Sequence, residues 1–203
     1  MAHPTDEEKK RLRRRMTELR AGVDEPARRR AAERVKANFL DAMTEMGLPC
    51  DTAERRAAFA GYWPKASELD PRPLLLALDG RGHACALPVV VGRGKPLRFR
   101  RWSPGMALEP ASFGLREPPE TASEISPDVI LAPLLAFDLG GNRLGYGAGF
   151  YDRTLERLRQ RCRVLAVGVA YAFQCVDAVP YGSGDQPLEW VVTDEGVRRS
   201  VPS

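Results

Sequence analysis

The sequence is poor in the residues that build metal centres and cross-linked folds. It contains two isolated histidines and no C-x-x-C pair. The four cysteines are Cys50, Cys85, Cys162 and Cys175. Because they are widely spaced, we predict reduced thiols in a cytoplasmic protein rather than zinc ligands or a disulfide framework. The chain also lacks an apolar run of membrane-spanning length and any signal-peptide pattern, so we expect no membrane partner.

The composition is that of an ordinary globular domain. Of 203 residues, 43% are hydrophobic and 29% are charged. This length suits a single domain over residues 1–203 and is enough to bury a sizeable core. The formal net charge of +4 suits an anionic ligand without requiring nucleic acid. We expect small-molecule substrates, no nucleic-acid partner and a monomeric state.

The order of apolar segments predicts the fold class. Helix-like patterns fall at residues 5–20, 24–46, 71–78 and 151–161, and Leu74, Leu75, Leu76 and Leu78 are expected on a buried face. Strand-like runs fall at residues 57–63, 83–91, 97–102, 129–137, 163–169 and 189–193. This alternation is typical of βαβ units in a parallel sheet. We predict an α/β protein: a single-domain three-layer sandwich with a mostly parallel central sheet flanked by helices.

The most distinctive stretch is residues 131–151. It begins as a buried strand, continues into five glycines and ends where apolar residues take helical spacing. Glycine lets backbone N–H groups approach an anion closely, and a helix N-terminus favours negative charge. The spacing matches neither a P-loop nor a dinucleotide-binding fingerprint. On glycines alone, a phosphate site and a tight structural turn are therefore equally open.

The full residue pattern of this stretch is more specific than its glycine content. After Phe137-Asp138 it reads Gly141-Asn142-Arg143-Leu144-Gly145-Tyr146-Gly147, and then Gly149-Phe150-Tyr151-Asp152. This pattern resembles the signature G-x-R-L-G-x-G-x-G-Y-Y-D of the 5-formyltetrahydrofolate cyclo-ligase family. The chain departs from the signature at Phe150, which replaces a tyrosine, and at Ala148, where some members carry lysine. The resemblance implies 5-formyltetrahydrofolate and ATP as substrates and Mg²⁺ as a cofactor.

The first predicted helix is strongly basic. On its residues alone, this face is either a solvated helix surface or a nucleic-acid patch. The resemblance implies a third use, because the family opens with K-x-x-L-R and the chain carries Lys9 and Arg13 at that spacing. Positions i and i+4 share a helix face, so both cations can reach one phosphate chain. No aromatic residues interleave the charges for base stacking, which favours ATP phosphates over nucleic acid.

Two further positions gain a role only through the resemblance. Glu68 and Asp70 lie before a predicted helix, where either suits a cap. The family carries E-x-D here with a folate-contacting glutamate, so we assign substrate binding to Glu68 and the cap to Asp70. Trp102 on residue type alone is a core or rim aromatic. The resemblance makes it a candidate wall for the pterin or aminobenzoyl ring.

The resemblance implies the remaining roles. Asp152 on its own is a first-turn aspartate favoured by the helix dipole. In the family this position holds magnesium, and Asp185 is the nearest match to a second carboxylate. Glu68 and Arg143 are the implied catalytic residues, and Tyr146 and Phe150 are added to Glu68 and Trp102 for substrate binding. The implied ATP-binding residues are Lys9, Arg13, Arg143, Leu144, Gly145, Tyr146, Gly147, Gly149 and Tyr151.

The implied reaction converts 5-formyltetrahydrofolate and ATP to 5,10-methenyltetrahydrofolate, ADP and phosphate. Two other functions stay open on the sequence. One is a non-catalytic nucleotide- or RNA-binding module that uses the basic first helix. The other is a different phosphate-handling α/β enzyme, because fold does not determine function.

Overall fold

The computed structural model describes residues 4–48 and 55–201. The chain begins with two helices, α1 (Pro4–Ala21) and α2 (Glu25–Met46). The Asp24 side chain accepts a hydrogen bond from the Ala27 N–H at 2.7 Å and caps α2. Gly47 ends α2 in a left-handed conformation, with φ +58°. Both ends of α2 are confirmed where the sequence predicted them.

A seven-stranded sheet forms the centre of the molecule. Its strands are β1 (Phe59–Ala60), β2 (Cys85–Val89), β3 (Arg98–Trp102), β6 (Val129–Pro133), β9 (Leu165–Val169), β10 (Trp190–Thr193) and β11 (Gly196–Arg199). They lie in the order β11-β10-β9-β6-β1-β2-β3. The five inner strands pair in parallel, and β3 and β11 are antiparallel edges. The predicted mostly parallel sheet is confirmed.

Shorter elements complete the fold. Helix α3 (Arg72–Gly80) follows β1. Helix α4 (Phe150–Arg159) follows residues 140–149, the glycine segment, which contains the five glycines described above. Two small antiparallel ribbons pair β4 (Glu109–Pro110) with β5 (Arg116–Glu117), and β7 (Ala136–Phe137) with β8 (Arg143–Leu144). Single 3-10 turns span Ser112–Gly114 and Ala172–Gln174. The second of these turns lies between β9 and β10.

The central strands are buried on both faces, as expected for a parallel sheet covered by helices. On one face Val129 and Leu131 pack with Phe39 of α2 and Leu74 of α3. On the other face alternate residues of the same strands pack against Leu155 of α4. The three layers that the sequence predicted are thus a helical layer, the sheet and a second layer containing α4.

A third apolar cluster attaches α1 to the rest of the molecule. Met16 packs against Leu135 and Ala136 and against Leu144 of β8, and Leu12 of α1 adds to this contact. The cluster lies on the β7–β8 ribbon. The basic first helix is thereby held beside the glycine segment.

Two details differ from the expectations. Leu76 is 47% exposed, because the helical period places Leu74, Leu75 and Leu78 on the buried face and Leu76 opposite. Strand β11 was not predicted, because its sequence, Gly-Val-Arg-Arg, lacks the apolar alternation of a buried strand. Charged residues are typical of an edge strand whose outer side faces water.

The three cysteines that the structure describes are free thiols. Cys85 is buried, Cys162 and Cys175 are exposed, and none of these three forms a disulfide with another described residue. Burial raises the pKa of the Cys85 thiol to about 12. Cys50 and His3 lie outside the described residues. Over residues 4–48 and 55–201, no helix combines the length and hydrophobicity needed to cross a membrane.

Gly141 is the tightest backbone position of the glycine segment. Its φ is +87°, and an added Cβ would lie 2.5 Å from the carbonyl oxygen of Leu188. The Leu188 N–H donates to the Gly141 carbonyl at 2.9 Å, so the two backbones cannot separate freely. Gly94 also has a positive φ, +74°, but no atom lies within 4 Å of its Cβ position.

These two glycines allow the steric term to be isolated. We expect Gly94→Ala to lower the free energy of unfolding by about 1 kcal/mol, the backbone strain alone. Gly141→Ala should cost about 2 kcal/mol more, because the methyl group displaces a hydrogen-bonded backbone. Urea unfolding of both variants measures the difference. Equal losses would show that the Gly141–Leu188 approach is not rigid.

Candidate active site

A cavity of about 500 Å³ lies at the carboxyl ends of three neighbouring strands. Tyr62 and Trp63 follow β1, Val90 follows β2, and Pro133 ends β6; all four line the cavity. Ligand sites of open α/β sheets lie at this edge, because the loops that leave parallel strands meet there. The glycine segment and the N-terminal half of α1 close the cavity from the other sides.

The structure brings together every predicted site residue except Trp102. The cavity is lined by Lys9, Arg13, Glu68, Arg143, Leu144, Gly145, Tyr146, Gly147, Gly149, Phe150, Tyr151, Asp152 and Asp185. These residues come from α1, the β1–α3 loop, the glycine segment, α4 and the loop before β10. Ala148, the departure from the family signature, lines the same cavity.

Trp102 does not line the cavity, contrary to the prediction. It is 4% exposed and packs in the core cluster that contains Phe59, not in the cavity. The tryptophan that lines the cavity is Trp63, whose ring lies 4.8 Å from the guanidinium carbon of Arg72. Its position directly after β1, in the loop that carries Glu68, was the sequence signal for this residue.

Helix α1 touches the glycine segment through its cations. Arg13 Nε donates to the Gly145 carbonyl at 2.9 Å, and its guanidinium carbon lies 3.4 Å from the Cβ position of Gly147. One turn earlier, Lys9 Nζ forms an ion pair with Asp185 Oδ2 at 2.7 Å. The i, i+4 spacing therefore places both cations at one cavity, as predicted.

A second ion pair lies beside the first. The side chain of Arg143 is 4% exposed, and its Nη2 donates to Asp152 Oδ1 at 2.6 Å. Arg143 Nη1 also donates to the carbonyl of Gln186, and the backbone N–H of Gln186 donates to Asp152 Oδ1 at 3.1 Å. Burial lowers the pKa of Arg143, and the neighbouring Asp152 opposes that shift. The pair thus keeps a buried guanidinium within the glycine segment.

The β1–α3 loop presents Glu68 to the cavity. Glu68 is 8% exposed, and its Oε2 accepts a hydrogen bond from the Lys65 N–H at 2.9 Å. Ala66 within this loop has a φ of +51°, a strained conformation for a residue with a side chain. Asp70 instead accepts from the Arg72 N–H at 2.9 Å, at the start of α3. Asp70 is therefore not the N-cap residue that was predicted: Pro71 holds that position without a side-chain cap hydrogen bond, and Asp70 lies one residue before it. Glu68 is the carboxylate of this loop that lines the cavity.

Sequence reasoning missed a buried arginine beneath the cavity. Arg20 is 3% exposed, donates to Ser67 Oγ at 3.1 Å and lies 5.6 Å from the centre of the Tyr146 ring. It also donates to the Leu134 carbonyl at 3.4 Å. Arg20 lies seven residues after Arg13, on the same face of α1, and that spacing was the available signal.

Three tyrosines surround the Glu68 carboxylate. Burial raises the pKa of Tyr62, Tyr146 and Tyr151, and the negative charge of Glu68 is the next largest cause for each. The positive charge of Arg20 opposes the shift at Tyr146. These hydroxyls stay protonated at neutral pH. The Tyr62 hydroxyl donates to the Leu69 carbonyl at 2.7 Å, whereas the hydroxyls of Tyr146 and Tyr151 can donate hydrogen bonds at the cavity wall.

The backbone and side-chain groups that line the cavity fit a nucleoside triphosphate with magnesium. Gly145 has no atom within 4 Å of its Cβ position, so the backbone there is open to a close ligand. Gly147, with a φ of +95°, instead faces the Arg13 guanidinium, which can contact a phosphate. Asp152 and Asp185 line the same cavity. Within the described ranges no cluster of three or more acidic, histidine or cysteine side chains could hold a metal. Magnesium needs few carboxylates when phosphate oxygens complete its coordination.

Comparison with known proteins decides the family. The model of the 5-formyltetrahydrofolate cyclo-ligase family matches residues 5–194. The chain belongs to this family. A 5-formyltetrahydrofolate cyclo-ligase of Mycolicibacterium smegmatis is 40% identical over 142 residues, which cover 65% of this chain and 71% of that protein. One from Haemophilus influenzae is 35% identical over 142 residues, covering 66% and 75%.

A solved structure agrees over nearly the whole chain. The NMR structure of Aquifex aeolicus 5,10-methenyltetrahydrofolate synthetase has a TM-score of 0.75 and 32% sequence identity, and covers 96% of this chain and 94% of its own. The family and its relatives are named as cyclo-ligases, which are enzymes. This chain is therefore an enzyme.

The tyrosines provide a test of the Glu68 geometry that does not depend on activity. Glu68→Gln removes the negative charge that raises three tyrosine pKa values, so tyrosinate absorbance should appear at lower pH than in the wild type. Unfolded tyrosines ionise at about pH 10. Because the folded pKa values are higher, the contribution of these tyrosines to the free energy of unfolding should be constant below that pH and fall above it.

A spectrophotometric pH titration measures the shift. The matched control is Glu45→Gln, which removes an exposed carboxylate from α2. Its titration should overlay the wild-type curve. If Glu68→Gln also leaves the curve unchanged, Glu68 does not face the tyrosines.

Proposed function

We propose that this cyclo-ligase family member catalyses the ATP-dependent conversion of 5-formyltetrahydrofolate to 5,10-methenyltetrahydrofolate, with release of ADP and phosphate. The observation that carries the proposal is a single cavity that combines two halves. One half has the glycine segment, Lys9, Arg13 and Arg143; the other has Glu68 and aromatic and apolar walls. A nucleotide and a flat heterocycle can therefore meet in it.

ATP answers a chemical need of this substrate. The N5-formyl group is an amide, and its oxygen is a poor leaving group. Transfer of the γ-phosphoryl group to that oxygen gives an iminium phosphate. Nitrogen N10 attacks the formyl carbon to close the five-membered ring, N10 loses its proton, and the C–O bond breaks to release phosphate. Such phosphoryl transfer depends on positioning and charge neutralisation rather than on an enzyme nucleophile.

The cations of the cavity supply that neutralisation. Arg13 already contacts the glycine segment at Gly145, so its remaining donors are directed along the segment that would cradle the phosphates. Lys9 and Arg143 reach the same region. Each is paired with a carboxylate, Asp185 or Asp152. Bound Mg²⁺ would supply further positive charge to the phosphates, and Asp152 and Asp185 are the residues that would hold it.

Glu68 serves the folate half of the site. Its carboxylate is held by the Lys65 N–H and lies among the tyrosines, which leaves it oriented before substrate enters. We assign it to bind the substrate near N10 and to accept the proton that N10 loses on ring closure. Tyr146, Phe150 and Tyr151 border both halves of the cavity.

The missing lysine at Ala148 does not leave this part of the site without positive charge. Arg153 Nη2 donates to the Ala148 carbonyl, and its guanidinium carbon lies 5.7 Å from the centre of the Phe150 ring. With Arg13 and Arg143 in the cavity, we propose that phosphoryl transfer proceeds without a lysine at this position.

A cytoplasmic location and a monomeric state stay predictions.

The decisive experiment follows the methenyl-folate absorbance after 5-formyltetrahydrofolate and Mg·ATP are added to the purified protein. We expect an enzyme-dependent rise that needs ATP. Glu68→Gln should lower kcat by about a hundredfold, because a proton acceptor at the reacting nitrogen is lost. The control Glu45→Gln should keep wild-type kcat. A flat trace from folded wild-type protein would reject the proposal.

Lys9 and its neighbour Lys10 separate a phosphate contact from general surface charge. Lys9→Met should raise the KM for ATP about tenfold and leave the KM for 5-formyltetrahydrofolate unchanged, because a charged phosphate contact is lost. Lys10 is exposed and interacts with Glu7 on the outer face of α1. Lys10→Met should keep both KM values. Equal effects of the two substitutions would exclude a specific role for Lys9.

A further inference from the structure

We propose that Arg116 binds a carboxylate of the glutamyl group of the folate substrate, at the end of the cavity farthest from the phosphates. The inference rests on the proposed function, because 5-formyltetrahydrofolate carries a glutamate joined to its aminobenzoyl ring. Arg116 is not part of the glycine signature or of α1. Its role follows from where the fold places it.

The sheet order separates two ends of the cavity. The phosphate-directed end includes Asp185, in the loop that leads into β10. That loop is attached to β9, because the Glu189 N–H donates to the Ala166 carbonyl at 3.0 Å. The opposite end is formed by residues of β2 and the segments beside it, Pro88, Val90 and Leu97. Strands β9 and β2 are three places apart, which corresponds to about 14 Å across the sheet.

Arg116 belongs to the β2 end. It lines the cavity from β5, next to Leu115. The following residue ties β5 to β2, because Glu117 Oε1 accepts a hydrogen bond from the Val90 N–H at 2.9 Å. Glu117 is thus engaged with the backbone of the cavity wall. The ribbon that carries Arg116 is anchored at the mouth of the apolar half of the site.

The charge of Arg116 lacks a carboxylate partner in the described parts of the chain. Its Nη2 donates to the Leu108 carbonyl at 2.9 Å, which orients the guanidinium and leaves the other donors for a ligand. Arg143, in the same cavity, is paired with Asp152, and Arg72 beside Trp63 is paired with Asp70. A guanidinium with free donors presents the planar fork that suits a carboxylate.

The walls between the two ends suit the part of folate that links them. Val90, Leu97 and Leu115 are apolar side chains facing one cavity, and the Leu97 backbone is fixed by donating its N–H to Thr154 Oγ1 at 2.9 Å. A flat, uncharged aminobenzoyl ring can pass along these residues without leaving a buried polar group unpaired. Its glutamyl carboxylates then emerge at Arg116.

A substrate that lacks the glutamate tests this directly. The probes are 5-formyltetrahydrofolate and 5-formyltetrahydropteroate, compared by kcat/KM at saturating Mg·ATP and by equilibrium titration of Trp fluorescence. The wild type should favour the folate about tenfold, chiefly through KM, because one charge-assisted contact is added. Arg116→Met should abolish the preference by weakening the folate alone, and Arg116→Lys should keep part of it.

The control is Arg101→Met, which removes an exposed arginine from β3 that does not line the cavity. It should keep the wild-type preference. Equal loss for both compounds in Arg116→Met, or an unchanged preference, would overturn the proposal. The binding titration also decides the matter if no turnover occurs. In that case the ligase function fails, whereas a preference that depends on Arg116 would still establish the carboxylate site.

Discussion

The docking of α1 on the β7–β8 ribbon is the contact on which the site depends. Met16 and Leu12 attach the helix through apolar burial, and Arg13 and Lys9 then fall on the side that faces the glycine segment. Arg20 continues the same face into the protein, where it donates hydrogen bonds to Ser67 Oγ and to the Leu134 carbonyl. A buried guanidinium is stable only with such partners, so α1 has one well-defined position. The apolar contact and the phosphate cations are thus set by a single helical period.

Two cations of the cavity are paired with carboxylates before any ligand arrives. Lys9 pairs with Asp185, and Arg143 pairs with Asp152, so cations suited to phosphate and carboxylates suited to magnesium neutralise one another. Entry of a magnesium-bound triphosphate would exchange partners among these groups rather than create new charges. The side chains are therefore already held near their working positions, so binding costs little conformational entropy. Phosphoryl transfer depends on such positioning.

The folate half is organised by the parallel sheet. Loops that leave β1, β2 and β6 meet at one edge, and the loop after β1 carries both Trp63 and Glu68. Its strained Ala66 and the hydrogen bond from Arg20 to Ser67 fix the path of that loop. The glutamate is consequently positioned by α1 as well as by the sheet. The two halves of the cavity share this one helix.

The sequence by itself determined what depends on near neighbours. The local patterns are the bounds of α2, the α/β alternation, the helical spacing of Lys9 and Arg13, and the glycine signature. The family resemblance rested on the last two and on the pattern at Glu68. Only the tertiary structure decided which tryptophan faces the cavity. Trp102 and Trp63 have equal chemistry, but strand pairing turns Trp102 into the core and leaves Trp63 at the carboxyl edge. The same holds for Arg20 and Arg116, because burial, a missing ion-pair partner and a shared cavity arise from segments distant in the chain.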